Sequence, residues 1–326
     1  MINAAIVGMG WWGRTLVESV QSDSNVIRFV SGATRTVSPE VKTFAETQQL
    51  RLVDSFEALL TDKSVDAVVL ATPHSLHAEQ IVAAAGAGKA VFCEKPLALG
   101  RADAERAVDA CRRAGVPLGI GHDKSFWPSM RELKRVVTGG ELGRLLHVEG
   151  HFSNESTRKF HAGWRESQQE SPGGSLTATG IHIINAFVTL LGPVRGVDAR
   201  LVAQPSDAEP LDTVSVFLEF ENGATGVLCG VRTTPQYWRV HVFGADGSAE
   251  AIGDTELVLR ATDASPRQLR FEPVEALRLE LEAFADAVAG RAPYPIAAEQ
   301  VVHDVAVLEA ALRSIETKAP VRIAPS

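Results

Sequence analysis

The chain has 326 residues, 45% of them hydrophobic and 22% charged, with a formal net charge of −8. This is ordinary globular composition, and the length suggests two domains. The acidic balance argues against nonspecific nucleic-acid binding, and no stretch approaches the roughly 18 consecutive apolar residues that suggest a membrane span.

The first 120 residues alternate between short apolar runs and helix-patterned segments. Strands are expected at 4–8, 26–33, 66–72, 89–94 and 117–121, with a short one near 51–53; helices are expected at 12–20, 41–48, 74–85 and 102–114. Near-continuous apolar strands alternating with helices imply a parallel sheet buried on both faces. After Gly121 the rhythm changes. A helix over 129–137 leads to a strand at 145–152 and then a loop-rich stretch. From Leu211 strands follow one another, with Val214, Val216, Leu218 and Phe220 on one face at period two. Asn222-Gly223 and Asp246-Gly247 are hairpin-turn candidates. Two amphipathic helices close the chain, striped by Leu277, Leu281, Phe284 and Val288 and by Val301, Val305, Leu308 and Leu312. The expected division is 1–121 and 122–326, the second part a largely antiparallel sheet with helices packed against it.

"IVGMGWWG" ends the first strand and sets Gly8, Gly10 and Gly13 in GxGxxG spacing. Glycine there permits a tight turn, close approach of backbone N–H groups to a pyrophosphate, and close helix–strand packing. The motif follows the first strand and opens a helix, which is the context that makes it a dinucleotide site. Trp11 and Trp12 flank the turn, where they serve either the cofactor or packing. A site for NAD usually carries Asp or Glu at the end of the second strand. This chain has "SGATRT" there, with Thr34 and Arg35 and no carboxylate between Asp23 and Glu40. Hydroxyl and guanidinium groups suit a 2′-phosphate, so NADP is the expected cofactor, with NAD possible.

Further along come "VVLATPHSLHAEQIVAAAGAGKAVFCEKPLAL" and "PGGSLTATGIHIINAFVTLLG". With the glycine turn, these resemble the glucose–fructose oxidoreductase, inositol dehydrogenase and rhizopine-catabolism (Gfo/Idh/MocA) family over most of the chain. The resemblance implies an α/β protein. A Rossmann domain with a doubly wound parallel sheet would precede an α+β domain with a large, open-faced, mostly antiparallel sheet. It also implies association as a homodimer or homotetramer through that sheet, and hydride transfer to or from sugars, polyols and related cyclic compounds. Ala71, Thr72, Pro73, His74 and His77 would lie along the cofactor, with Glu94 and Lys95 near the nicotinamide ribose and the reacting carbon. Lys95-Pro96 is a candidate cis bond. Trp164-Arg165 resembles the family's substrate-side WR pair, and Asp123 stands where the family has Asn.

The resemblance breaks at the third motif. The family usually has DxxxH on a helix; counting back four from His182 reaches Ala178, and Asn185 stands where Asp is often found. On an α-helix Ser175, Ala178, His182, Asn185 and Thr189 share one stripe without a permanent charge, which reads as the wall of a cleft. A core histidine bonded to a carbonyl is the blander reading. His182 is expected to be the acid/base because imidazole titrates near neutrality. Lys95 is expected to hold the substrate oxygen and stabilise its developing charge. Asn185, Thr179 or Asp123 could orient the imidazole in place of the absent carboxylate. His74, His77 and His182 lack an Asp or Cys partner for a metal set, so none is expected. The function expected is an NADP-dependent oxidoreductase acting on a sugar-like or other cyclic hydroxy or keto compound. A noncatalytic NADP-binding sensor with a degenerate site is the second possibility, and cofactor-retaining hydrolysis or elimination a third. Cys93, Cys111 and Cys229 match no disulfide or metal framework, and the N-terminal "MINAAIVGMG" has no basic leader region. A cytoplasmic protein is therefore expected, with no nucleic-acid or membrane partner.

Overall fold

A computed structural model describes residues 1–154, 164, 167–204, 211–232 and 234–324. The chain divides into two compact units, 1–123 with 275–302, and 124–274 with 303–326.

The first unit is built on six parallel strands: β1 (Ile2–Val7), β2 (Ile27–Ala33), β3 (Arg51–Leu52), β4 (Ala67–Leu70), β5 (Ala90–Glu94) and β6 (Leu118–Gly121). Their order is β3-β2-β1-β4-β5-β6. The order reverses between β1 and β4, so the crevice at the carboxyl ends of these two strands is where a doubly wound sheet binds ligands. Helices α1 (Trp11–Val20), α2 (Pro39–Thr47), α3 (Phe56–Thr61), α4 (His77–Gly86) and α5 (Arg101–Ala114) make the crossovers. Local chemistry marks their ends. The Ser38 hydroxyl accepts from Val41 N–H ahead of α2, Ser55 does the same for α3, and Gly115 closes α5 at φ +66°.

The unit boundary differs from the division expected from the sequence. Helix α8 (Ala276–Val288) belongs to the first unit, where Leu281, Phe284 and Ala285 join the core of Ile6, Leu16, Phe29 and Phe92. The cause is a fitted contact. Phe284 meets Phe92 edge-on at 5.6 Å, and Gly119 of β6 leaves the space its ring occupies.

The second unit opens with α6 (Pro128–Thr138). It holds nine strands: β7 (Leu145–Ser153), β8 (Val194–Gln204), β9 (Leu211–Phe220), β10 (Thr225–Val231), β11 (Tyr237–Gly244), β12 (Gly247–Ile252), β13 (Glu256–Ala261), β14 (Arg267–Arg270) and β15 (Val321–Arg322). They run in the order β14-β13-β12-β11-β7-β10-β9-β8-β15, antiparallel except for the β7–β10 pair. Gly223 takes φ +87° in the β9–β10 hairpin, as the Asn-Gly signal predicts; the β11–β12 hairpin turns at Ala245-Asp246, so that Gly247 opens β12. Helix α7 (Ile181–Leu191) and most of α9 (Ala298–Thr317) belong to this unit.

Val214, Val216, Leu218 and Phe220 are all buried within the single chain. Phe187 of α7 packs on Phe220, and Gly150 of β7 gives way to Ile183 and Phe187. The apolar face of β9 is thus packed against the protein's own α7. The opposite face is mixed: Arg239 pairs with Glu149 and Glu250, while Val202, Phe217 and Tyr237 remain exposed. Among the described residues, no helix is long and apolar enough to cross a membrane.

Candidate active site

The first unit supplies a phosphate turn. Gly8 has φ +93°, and a Cβ there would stand 2.6 Å from the Ala71 carbonyl oxygen. A Cβ on Gly13 would collide with the Gly8 carbonyl, whereas nothing lies within 4 Å of the Cβ position of Gly10. Two glycines therefore close the turn on itself, and the third leaves open space above the start of α1. This arrangement fits a pyrophosphate approached by backbone N–H groups. The end of β2 carries partly exposed Thr34 and exposed Arg35, with no acidic residue before Glu40 in the first turn of α2.

Beyond β4, Ala71, Thr72, Pro73 and His74 are partly exposed. His77 is different: it is fully buried, with Nδ1 at 2.9 Å from the Pro96 carbonyl and Nε2 at 3.1 Å from that of Thr72. Its ring ties the segment after β4 to the turn after β5. The Lys95-Pro96 bond in that turn is cis. Trp11 is 44% exposed and tilts against Trp12 at 5.1 Å.

Glu94, the last residue of β5, is buried. Gly121 of β6 packs so closely that a Cβ there would lie 2.8 Å from Glu94 Oε1. Burial raises the Glu94 carboxyl to about 7, and Asp123 pushes the same way, against the Trp12 indole and the Lys95 ammonium. The indole N–H faces this carboxyl without meeting strict hydrogen-bond geometry. Burial, followed by the Lys95 charge, lowers His122 to about 3, so its ring is neutral at physiological pH. Tyr294 donates its hydroxyl to the Ile120 carbonyl at 2.8 Å, and burial lifts its phenol well above the ordinary range, with Glu280, Glu94 and Asp123 adding to the effect. His122, Glu280 and Tyr294 escaped the sequence analysis; the last two come from a C-terminal segment with no local motif to mark them.

His182 lies in the second unit, near the start of α7. It is 7% exposed and its ring meets Phe152 edge-on at 5.7 Å. Leu176–Gly180 form a π-helical turn, so the uniform α-helix assumed from sequence is interrupted just before the histidine. Such a turn spans i to i+5, which moves Ser175 off the stripe expected for His182. The Ser175 N–H instead donates to Asp212 Oδ1 at 3.3 Å. Thr179 donates to the Ser175 carbonyl at 2.8 Å. Asn185 is 1% exposed, accepting from Ser125 Oγ at 3.0 Å and donating to Asp304 Oδ2 at 2.8 Å. Thr179 and Asn185 are thus engaged within the fold. Lys124 Nζ sits 4.4 Å from the Trp127 ring centre and 5.9 Å from that of Phe152, placing a cation near the ring that His182 abuts.

Trp164 is partly buried; its carbonyl accepts from Ser167 N–H and Oγ. Arg165 lies outside the described residues. Among the described residues, no group of three or more His, Cys, Asp or Glu is arranged to hold a metal ion.

Residues 2–122 match the family model described as the oxidoreductase family with an NAD-binding Rossmann fold, and residues 130–250 match the GFO/IDH/MocA C-terminal domain. An inositol 2-dehydrogenase of Saccharopolyspora erythraea is 31% identical over 336 aligned positions, covering 99% of this chain and 96% of the relative. An NADP-dependent D-xylose 1-dehydrogenase of Haloferax volcanii is 32% identical, covering 82% of this chain and 84% of its own. The crystal structure of an oxidoreductase from Thermotoga maritima superposes with a TM-score of 0.85 at 25% identity, covering 99% of this chain and 98% of that one. The glycine turn, the β5 end and the two sheets agree with these likenesses: the chain belongs to the GFO/IDH/MocA family of sugar- and inositol-type NAD(P)-dependent oxidoreductases.

Proposed function

We propose that the protein is an NADP-dependent oxidoreductase acting on a sugar-like or other cyclic hydroxy or keto compound, with His182 as acid/base and Lys95 as its electrostatic partner. The observation that carries this reading is the phosphate turn with Arg35, rather than an acid, after β2. When bound, the nicotinamide carries the hydride. In oxidation the His182 ring takes the hydroxyl proton; in reduction it returns that proton. The Lys95 ammonium holds the substrate oxygen and offsets its developing negative charge. Myo-inositol, D-xylose and related cyclic polyols and ketones, offered with each cofactor and followed by nicotinamide absorbance, test the reading. NADP(H) binding with no hydride exchange across such a panel would favour the noncatalytic sensor.

Cofactor preference gives a sharper expectation. NADP(H) should bind at least about tenfold more tightly than NAD(H), equivalent to about 1.4 kcal/mol, a modest demand on one charge-assisted phosphate contact. Arg35→Ala should remove most of that difference while sparing NAD(H) binding. Titration calorimetry with both cofactors measures it, and equal affinities in the unmutated protein would refute the preference.

The same proposal includes a homodimer or homotetramer in the cytoplasm, where Cys93, Cys111 and Cys229 remain thiols. Its support is the outer sheet face, where Val202 is 51%, Phe217 43% and Tyr237 45% exposed. Sedimentation velocity should show an oligomer that Phe217→Lys weakens; a monomer at every concentration contradicts the assembly.

A further inference from the structure

The strongest unassigned feature is the hydrogen-bonded chain behind α7. Asn185 stands one helical turn after His182. Its amide accepts from Ser125 at 3.0 Å and donates to Asp304 at 2.8 Å. Asp304, on α9, is 0% exposed, and its second oxygen, Oδ1, has no hydrogen-bond partner among the described residues. The preceding residue holds the start of β8: His303 Nε2 accepts from the Val194 N–H at 2.8 Å, three residues past the Leu191 terminus of α7. Two consecutive side chains of α9 thus hold the middle of α7 and the first residue of β8.

The residue types carry the argument. A leucine at 304 would leave the buried Asn185 N–H without its acceptor. An aspartate at 185 would face Asp304 directly, and two buried carboxyls at that spacing cannot both ionise. This chain places its amide on the histidine-bearing helix and its acid on the helix behind. Burial keeps that acid well above the ordinary carboxylate range, although the bond from Asn185 opposes the shift. The pair ties α7 to α9 through an amide, not a carboxyl, on the histidine-bearing helix. Ser125 extends the chain to the turn that carries Lys124.

We propose that Asp304 is a positioning residue for His182, acting through Asn185 to set the rotation and depth of α7 against the Ser125 turn. The proposal rests on His182 being the proton-transfer group.

The test uses the full-length protein saturated with NADP+ and the best compound of the substrate panel. Asp304→Leu is expected to lower kcat roughly 10–100-fold, the usual cost of small misplacement, with the Kd for NADP+ changed less than about twofold. Asp304→Asn, whose side-chain carbonyl can still accept from Asn185, should stay within about threefold of the parent. If the leucine variant does not fold, Asn185→Asp should lower kcat, and adding Asp304→Asn should recover at least about tenfold by restoring one acid and one amide. The imidazole ¹⁵N resonances of His182, assigned by their loss in His182→Gln, provide a readout independent of turnover. They should shift or multiply in Asp304→Leu and stay close to the parent's in Asp304→Asn. A folded Asp304→Leu with unchanged kcat or unchanged resonances overturns the proposal, as does failure of the exchanged pair to recover. Activity retained in His182→Ala would instead overturn the reading on which the proposal rests.

Discussion

His182→Ala is expected to reduce turnover roughly 10²–10⁴-fold while leaving NADP(H) affinity nearly unchanged, the range typical of losing a positioned acid/base. The expected split follows from where the residues belong. Every glycine of the phosphate turn is in the first unit, whereas His182 is on α7 in the second. His182 is also 7% exposed against Phe152, so truncation leaves a cavity and some loss of stability. His182→Gln fills more of that space yet cannot exchange a proton near neutrality. A loss of similar size in both variants, at temperatures where each is folded, assigns the effect to chemistry. Full activity in His182→Ala would return the residue to the core.

The second large effect concerns stability against pH. Glu94 is raised from an ordinary 4.5 to about 7, first by burial. Between these values the folded state binds more proton than the unfolded one, so this group's contribution falls as pH rises from about 4.5 to about 7. The loss is on the order of 3 kcal/mol in full, of which roughly 2 kcal/mol should appear between about pH 5 and 7. His122 works in the opposite direction. Held down to about 3 by burial and Lys95, it costs stability as pH falls below its unfolded value of 6.5. The two slopes overlap, so the parent's curve alone does not isolate either group. The difference between Glu94→Gln and the parent does, because glutamine does not titrate. In urea unfolding from pH 5 to 8, the variant should gain on the parent by about 2 kcal/mol by neutrality and then level off. Parallel curves would show that Glu94 ionises at its ordinary value.

Much of the first unit was legible because its signals are local. The central strands β4 and β5 are continuous apolar runs up to their ends, and GxGxxG names its own backbone geometry at Gly8 and Gly13. The X–Pro step at Lys95-Pro96 was legible for the same reason. Elements with weaker local signals were missed. Helix α3 has only six residues, and β8 loses its alternation at a register shift between Val194 and Gly196. The π-turn before His182 is invisible to an analysis that assigns every helical residue the same rotation.

Periodicity showed that α8 has an apolar stripe, but a stripe records only that something covers it. The meeting of Phe284 with Phe92 over Gly119 assigned that helix to the first unit. In the same way, alternation on β9 showed a buried face without saying whether a partner or the chain's own α7 would bury it. The proposed site residues divide along the same line. His182, Lys95 and Glu94 could be selected by residue type and motif. The groups that tune and hold them come from far along the chain: Tyr294 behind Glu94, and Asp304, 119 residues from Asn185. By itself the sequence determined which backbone turns and apolar faces must exist, because those follow from steric limits and periodicity within a few residues. Only the tertiary structure decided what each face covers and which buried polar group satisfies which, because desolvation and hydrogen bonding depend on neighbours in space.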